Sequence, residues 1–123
     1  MNDDDTKARR GRAARLKGHS WERKLVHLFR AVMPGVKVQR GLGQTRGGAA
    51  ECPDVDAGGI FSIEAKVGKR PPVRRALATA IETAPKGSTG IAVIKEDHKP
   101  PYVVIGLEDF LELVREWHHG RTR

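Results

Sequence analysis

Pro53-Asp54-Val55-Asp56-Ala57-Gly58-Gly59-Ile60-Phe61-Ser62-Ile63-Glu64-Ala65-Lys66-Val67 is the stretch on which the fold turns. Two alternating segments flank a glycine pair, the sequence pattern of a β-hairpin. Side chains alternate faces along a strand, so Glu64 and Lys66 share one face while Ile63, Ala65 and Val67 share the other. The apolar set is expected to face the core, leaving Glu64 and Lys66 over a cleft. Whether Asp54 joins them depends on the loop. A two-residue turn at Gly58-Gly59 would pair Asp54 with Ile63, on the wrong face. A three-residue loop, Ala57-Gly58-Gly59, pairs Asp54 with Ser62 and makes it a diagonal neighbour of Glu64. An odd-length loop or a bulge is therefore predicted. Asp56 has the parity of Asp54 and could also face the cleft, but so close to the turn it reads first as a residue bonding to local backbone.

Two close carboxylates repel unless a cation lies between them. Asp54 and Glu64, with the carbonyl of Ala65 as a third oxygen, suit Mg²⁺, for which Mn²⁺ can substitute. Such a metal polarises a scissile phosphate and acidifies a bound water. Lys66 is then placed to orient or help deprotonate that water, or to stabilise charge on phosphorus. Glu22, on an upstream helix, is a further candidate as a second metal ligand or a holder of water.

Composition agrees with an anionic substrate. The chain has 123 residues, enough for one domain with its own core, and a formal net charge of +8. Such an excess favours a polyanionic partner, nucleic acid first. No helix combines a Lys/Arg face with exposed Trp or Phe, so a membrane surface is not expected. Cys52 is the only cysteine, which excludes intrachain disulfides and thiolate zinc clusters. With no signal-peptide core or membrane-length apolar run, a soluble, cytoplasmic protein is expected.

Outside the hairpin, residues 1–17 begin acidic and become basic, with little to bury. They are expected to form a flexible arm, disordered or only nascently helical when free, and either a solvated tail or a phosphate-binding segment. A helix is predicted over 19–33, with Trp21, Leu25, Leu28, Phe29 and Val32 in one stripe, ended by Pro34-Gly35. Val36-Lys37-Val38 is a short strand candidate, and residues 40–50 form a glycine-rich loop. Arg40, Gln44, Thr45 and Arg46 supply that loop with donors for phosphate. Pro71-Pro72 introduces a helix with Val73, Leu77, Ala80, Ile81 and Ala84 on one face. Lys69, Arg70, Arg74 and Arg75, just after the hairpin, either grip flanking phosphates or form a solvated helix start. Positive charge there opposes the helix dipole, which a nearby acid would relieve.

Ile91-Ala92-Val93-Ile94 and Tyr102-Val103-Val104-Ile105 are unbroken apolar runs, the pattern of strands covered on both faces. A last helix over 107–117 carries Leu107, Phe110, Leu111, Val114 and Trp117, with a short basic tail over 118–123. The five histidines have no zinc spacing and read as surface residues. The order is αβββαββα, giving an α/β fold with a mixed sheet flanked by helices.

Pro53-Asp54, nine intervening residues, then Glu64-Ala65-Lys66 resembles the PD-(D/E)xK nuclease signature. Gly18-x-x-x-Glu22 on the first helix, followed by a basic glycine-rich loop, is similar to the archaeal-type Holliday junction resolvases and their phage-encoded relatives. The resemblance spans about residues 18–114, with the nuclease domain placed at 18–117. It implies a restriction-endonuclease-like sheet and metal-dependent hydrolysis by Asp54, Glu64 and Lys66, assisted by Glu22. It further implies a homodimer that cuts two strands of a four-way junction, with Arg40, Gln44, Thr45 and Arg46 of the loop as further catalytic or junction-contacting groups. The alternatives on the same scaffold are a nicking, repair or restriction-type nuclease on double-stranded DNA, and a catalytically silent DNA-binding module.

Overall fold

Ile91-Ala92-Val93-Ile94 is buried along its whole length. An unbroken apolar run must find apolar partners on both faces, which places it inside a sheet rather than at an edge. It lies in β4 (Thr89–Glu96) of a computed structural model that describes residues 3–41 and 52–121. Around it are α1 (Asp3–Val32), β1 (Val38–Arg40), β2 (Val55–Ala57), β3 (Phe61–Gly68), α2 (Val73–Thr83), β5 (Tyr102–Val104) and α3 (Leu107–Arg121). The chain order αβββαββα is the one read from the sequence. The sheet runs β1-β2-β3-β4-β5, with β3 and β4 parallel and the other neighbours antiparallel. The protein is therefore mixed α/β, with a five-stranded mixed sheet flanked by helices.

Strand alternation separates two cores. Odd-numbered Ile63, Ile91 and Val93 join Val38, Val55 and Ala57 against Trp21, Leu25 and Val26 of α1. Even-numbered Ala92 and Ile94 face the other way and pack with Ala76 of α2. The parallel β3–β4 pair needs a crossover, and α2 supplies it while covering that second face. α2 buries two of its three alanines, Ala76 and Ala80, whereas Ile81, expected on the buried face, is half exposed. Small residues are needed there because α2 approaches β4 closely at Gly90, where a Cβ would stand 2.3 Å from the Ala80 carbonyl oxygen. That obstacle is backbone and cannot swing away. Gly90→Ala is expected to destabilise the fold by about 1–3 kcal/mol, read as a lower denaturation midpoint at unchanged m-value. A midpoint equal to wild type would show that α2 can lift off the sheet.

Several expectations need correction. α1 begins at Asp3, so residues 3–17 are not a separate flexible arm and the expected boundary at 17/18 falls inside a helix. Nucleation is the costly step, and the packed half from Trp21 onward supplies the nucleus. Extension then needs only good helix formers, which Lys7, Ala8, Arg9, Arg10, Ala13, Ala14, Arg15 and Leu16 are. Asp3, Asp4 and Asp5 in the first turn complement the dipole, and Lys17 is tied to Asp97 after β4.

β5 is an edge strand, with Tyr102 40 % and Val103 55 % exposed, so it is not covered on both faces. α3 continues to Arg121 through most of the expected tail and buries none of its residues. Leu107, Phe110, Leu111, Val114 and Trp117 all remain exposed, so their periodicity reported a helix but not a place in this core. The guanidinium of Arg121 lies over Trp117, 5.1 Å from the ring centre. β1 begins at Val38 rather than Val36, and β2 begins at Val55. Among the described residues, no helix is long and apolar enough to cross a membrane.

Candidate active site

The β2–β3 loop is odd in length, as parity requires, but it is Gly58-Gly59-Ile60 rather than Ala57-Gly58-Gly59. The pairs are Val55 with Ile63, Asp56 with Ser62 and Ala57 with Phe61. Ala57 stays in the strand because its side chain is fully buried, and Gly58 and Gly59 take the left-handed conformations that follow, at φ 63° and 73°. The amide of Ile60 closes the turn onto the Ala57 carbonyl at 3.0 Å. Asp56 accepts from the Gly59 amide at 3.0 Å, the local backbone role read for it.

The shift moves Asp54 from a diagonal position to one directly across from Glu64 when the register is continued by one pair. Asp54 lies just before β2 and is held from both sides. Its Oδ2 accepts from the Ala65 amide at 2.9 Å, and its carbonyl accepts from the Gly41 amide at 2.9 Å. Gly41 must be a glycine, because a Cβ there would sit 1.9 Å from the Pro53 carbonyl oxygen. The start of the glycine-rich segment is thus stapled to the strand that carries Asp54.

Glu64 does not line the open cleft as expected. It pairs with Ala92 in register, on the face that α2 covers, and only 7 % of it is exposed. Alternation leaves one face open only where the other alone is covered, and β3 is packed on both. Burial, and next the charge of Asp54, push the Glu64 carboxyl above its ordinary value, against the pull of Lys66, with Glu22 adding a smaller upward push. The Lys66 ammonium answers with an ion pair to Glu64 Oε1 at 3.2 Å.

Glu22, Asp54 and Lys66 line one cleft of about 280 Å³, together with Ala14, Arg15, Gly18, His19, Ala65 and Val67. Three of the four catalytic candidates therefore open on a common space, and the fourth lies behind Lys66. Both Nε and Nη2 of Arg40 donate to Glu22 Oε1, at 3.1 and 3.0 Å, a pair that does not engage Glu22 Oε2. Arg40, read as a DNA contact, thus also ties the start of the glycine-rich segment to α1. Among the described residues no three acidic, imidazole or thiol groups cluster at metal-binding distance. The oxygen donors that could be offered to a divalent cation here are the Asp54–Glu64 pair and the Ala65 carbonyl, since Mg²⁺ takes one or two protein carboxylates with water completing its shell.

Gln44, Thr45 and Arg46 lie outside the described residues. Lys69, Arg70, Arg74 and Arg75 are exposed beyond the end of β3 and at the start of α2, and none of them lines the cleft. The acid expected to relieve them is absent from the first turn of α2, and Pro72 gives that helix no side-chain cap. Arg15 and His19 also line the cleft, although the chain reads as a flexible arm at Arg15 and as surface at His19. Their spacing to Glu22 on a continuous helix is the signal that places them there. Comparison of the chain with models of protein families, with curated proteins and with solved structures finds no match.

Proposed function

We propose that this protein is a metal-dependent, structure-selective DNA endonuclease of the PD-(D/E)xK type, a Holliday junction resolvase that cuts four-way junctions as a homodimer. The observation that carries this reading is the confrontation of Asp54 with buried Glu64 across adjacent strands, with Lys66 bonded to Glu64 at 3.2 Å. A like-charge pair inside a protein is costly to keep ionised, and the Lys66 ammonium offsets only one of the two carboxylates. A binding-only protein has no physical reason to aim carboxylates at an anionic ligand.

Asp54, Glu64 and the Ala65 carbonyl would hold Mg²⁺. Bound there, the metal supplies Lewis acidity to the phosphoryl group and an acidified water. The chain's own groups do the positioning. The Ala65 amide holds the Asp54 carboxylate in line, and Glu64 holds the Lys66 amine at the cleft, within reach of a non-bridging oxygen or the attacking water. Hydrolysis forms a bond from water oxygen to phosphorus and breaks the bond to one sugar oxygen, which leaves with a proton. Arg40 keeps Glu22 turned into the same cleft as an orienting group. Two copies are part of the proposal. What supports this is the uncovered apolar stripe of α3, and an apolar groove of about 190 Å³ between α1 and β5, lined by Trp21, Leu28, Phe29, Tyr102 and Val103. α3 carries Glu108, Asp109, Glu112 and Glu116 against Arg115 and Arg121, so it brings acid to an otherwise basic chain.

The test is incubation of the purified protein with labelled four-way junction, duplex and single-stranded DNA, with Mg²⁺ or EDTA. Paired, metal-dependent nicks on the junction are expected. Cleavage of every substrate would replace the resolvase with a general nuclease. DNA binding without cleavage under any divalent metal would remove the enzyme altogether.

A further inference from the structure

Arg15, Gly18, His19 and Glu22 stand at i, i+3, i+4 and i+7 of α1, so they look out from one side of the helix. All four line the cleft that holds Asp54 and Lys66. The catalytic reading uses only Glu22 of this stripe. The others have different circumstances. Glu22 is taken by Arg40, and Lys66 by Glu64, whereas among the described residues no carboxylate engages Arg15 or His19. Two donors for an anion thus stand one turn apart, beside the carboxylates and unneutralised. Between them sits a glycine that the helix does not need. Its φ is not left-handed, and a Cβ there would meet nothing within 4 Å. Glycine is a poor helix former, so the position weakens α1 without relieving any contact. What the missing side chain does is keep the floor of the cleft open.

We propose that this stripe of α1 is a second phosphate subsite, in which Arg15 and His19 hold the backbone phosphate next to the one at Asp54 and Glu64, with Gly18 as the clear passage between them. It rests on the nuclease reading and deepens it: the ligand is a nucleic-acid strand lying along α1, not an isolated phosphate. Arg15 and His19 are positioning residues here, since they touch the neighbour of the reacting phosphate. The helical extension over 3–17 then has a use, because a disordered arm could not aim Arg15 at the cleft.

The experiment measures binding of a fluorescein-labelled four-way junction by the full chain in EDTA across a salt series, and cleavage in Mg²⁺, with thermal melts of every variant. Losing one phosphate contact lowers the slope of log affinity against log salt by about 0.9. Arg15→Ala is expected to lose about that much, with Arg15→Lys recovering most of the slope; His19→Ala is expected to weaken binding, and both to raise KM more than they lower kcat. Gly18→Met should melt no lower than wild type yet bind about tenfold or more weakly, because its side chain fills the cleft. Lys86→Ala, an equal loss of charge on the exposed turn between α2 and β4, should leave the slope unchanged. Unaltered slope and KM in Arg15→Ala, full affinity in Gly18→Met, or an equal slope loss in Lys86→Ala would each overturn the subsite. Should wild type bind with these slopes and cleave nothing, the subsite stands and the nuclease reading falls. Should it cleave while Arg15→Ala and Gly18→Met behave as wild type, the reverse holds.

Discussion

Asp54→Asn is expected to cut the rate of junction cleavage by a factor of about 10²–10³ while leaving DNA binding unchanged or tighter. The amide keeps the shape of the side chain and its acceptor oxygen, so the bond from the Ala65 amide at 2.9 Å can persist and the hairpin should keep its register. What disappears is one of two opposed charges. A cation held by both carboxylates loses half of its charged donors. At the same time, the DNA backbone meets less negative charge in the cleft. The two effects have opposite signs on catalysis and on affinity, and that divergence distinguishes a catalytic carboxylate from a structural one. Single-turnover cleavage and equilibrium binding, measured on the same preparation, check it. Weaker binding with unchanged cleavage would contradict the assignment.

The second large effect concerns Glu64 and pH. Burial first, then Asp54, raise its carboxyl above the ordinary value, so the folded protein holds that proton more tightly than the unfolded chain. Its contribution to stability is therefore fully present below the unfolded value, about 4.3, and is lost as pH rises through the folded value. In EDTA the melting temperature of wild type should carry a downward component from about pH 4 toward neutrality, and Glu64→Gln should lack it. The difference between the two proteins isolates Glu64 from the other titrating groups. Mg²⁺ should reverse the loss, since a ligand that binds only the folded state at ten times its Kd adds about 1.4 kcal/mol, or roughly 4–8 °C for a domain this size. Glu64→Gln and Asp54→Asn should show little of that rise. A wild-type melting temperature indifferent to Mg²⁺ at neutral pH would remove the metal from the proposal.

The elements that could be read from the chain are those whose signal is local. α2 follows Pro71-Pro72 and ends before Pro85, β4 is an unbroken apolar run, and the glycine pair forces a turn between β2 and β3. The parity of Asp54 with Glu64 was legible too, because only an odd loop lets both face one side. Which odd loop was not, since Ala57 joins the strand only when its neighbours bury it. The exposure of α3 was equally illegible. Leu107, Phe110, Leu111, Val114 and Trp117 have the spacing of a packed helix, and periodicity states which face is apolar but not what covers it.

The candidate site divides along the same line. Asp54, Glu64, Lys66 and Glu22 could be picked out because carboxylates and an amine at these spacings have few structural uses together. The pairing of Arg40 with Glu22, the burial of Glu64 beneath α2 and the arrival of Arg15 and His19 at the cleft join residues far apart in the chain. By itself, then, the sequence determined the order of elements, the alternation of β3 and the residues with chemistry to offer. Tertiary structure alone decided which charges meet, because an ion pair or a buried carboxylate depends on distance through space and on exclusion of water. Neither quantity is written in the spacing of residues along a chain.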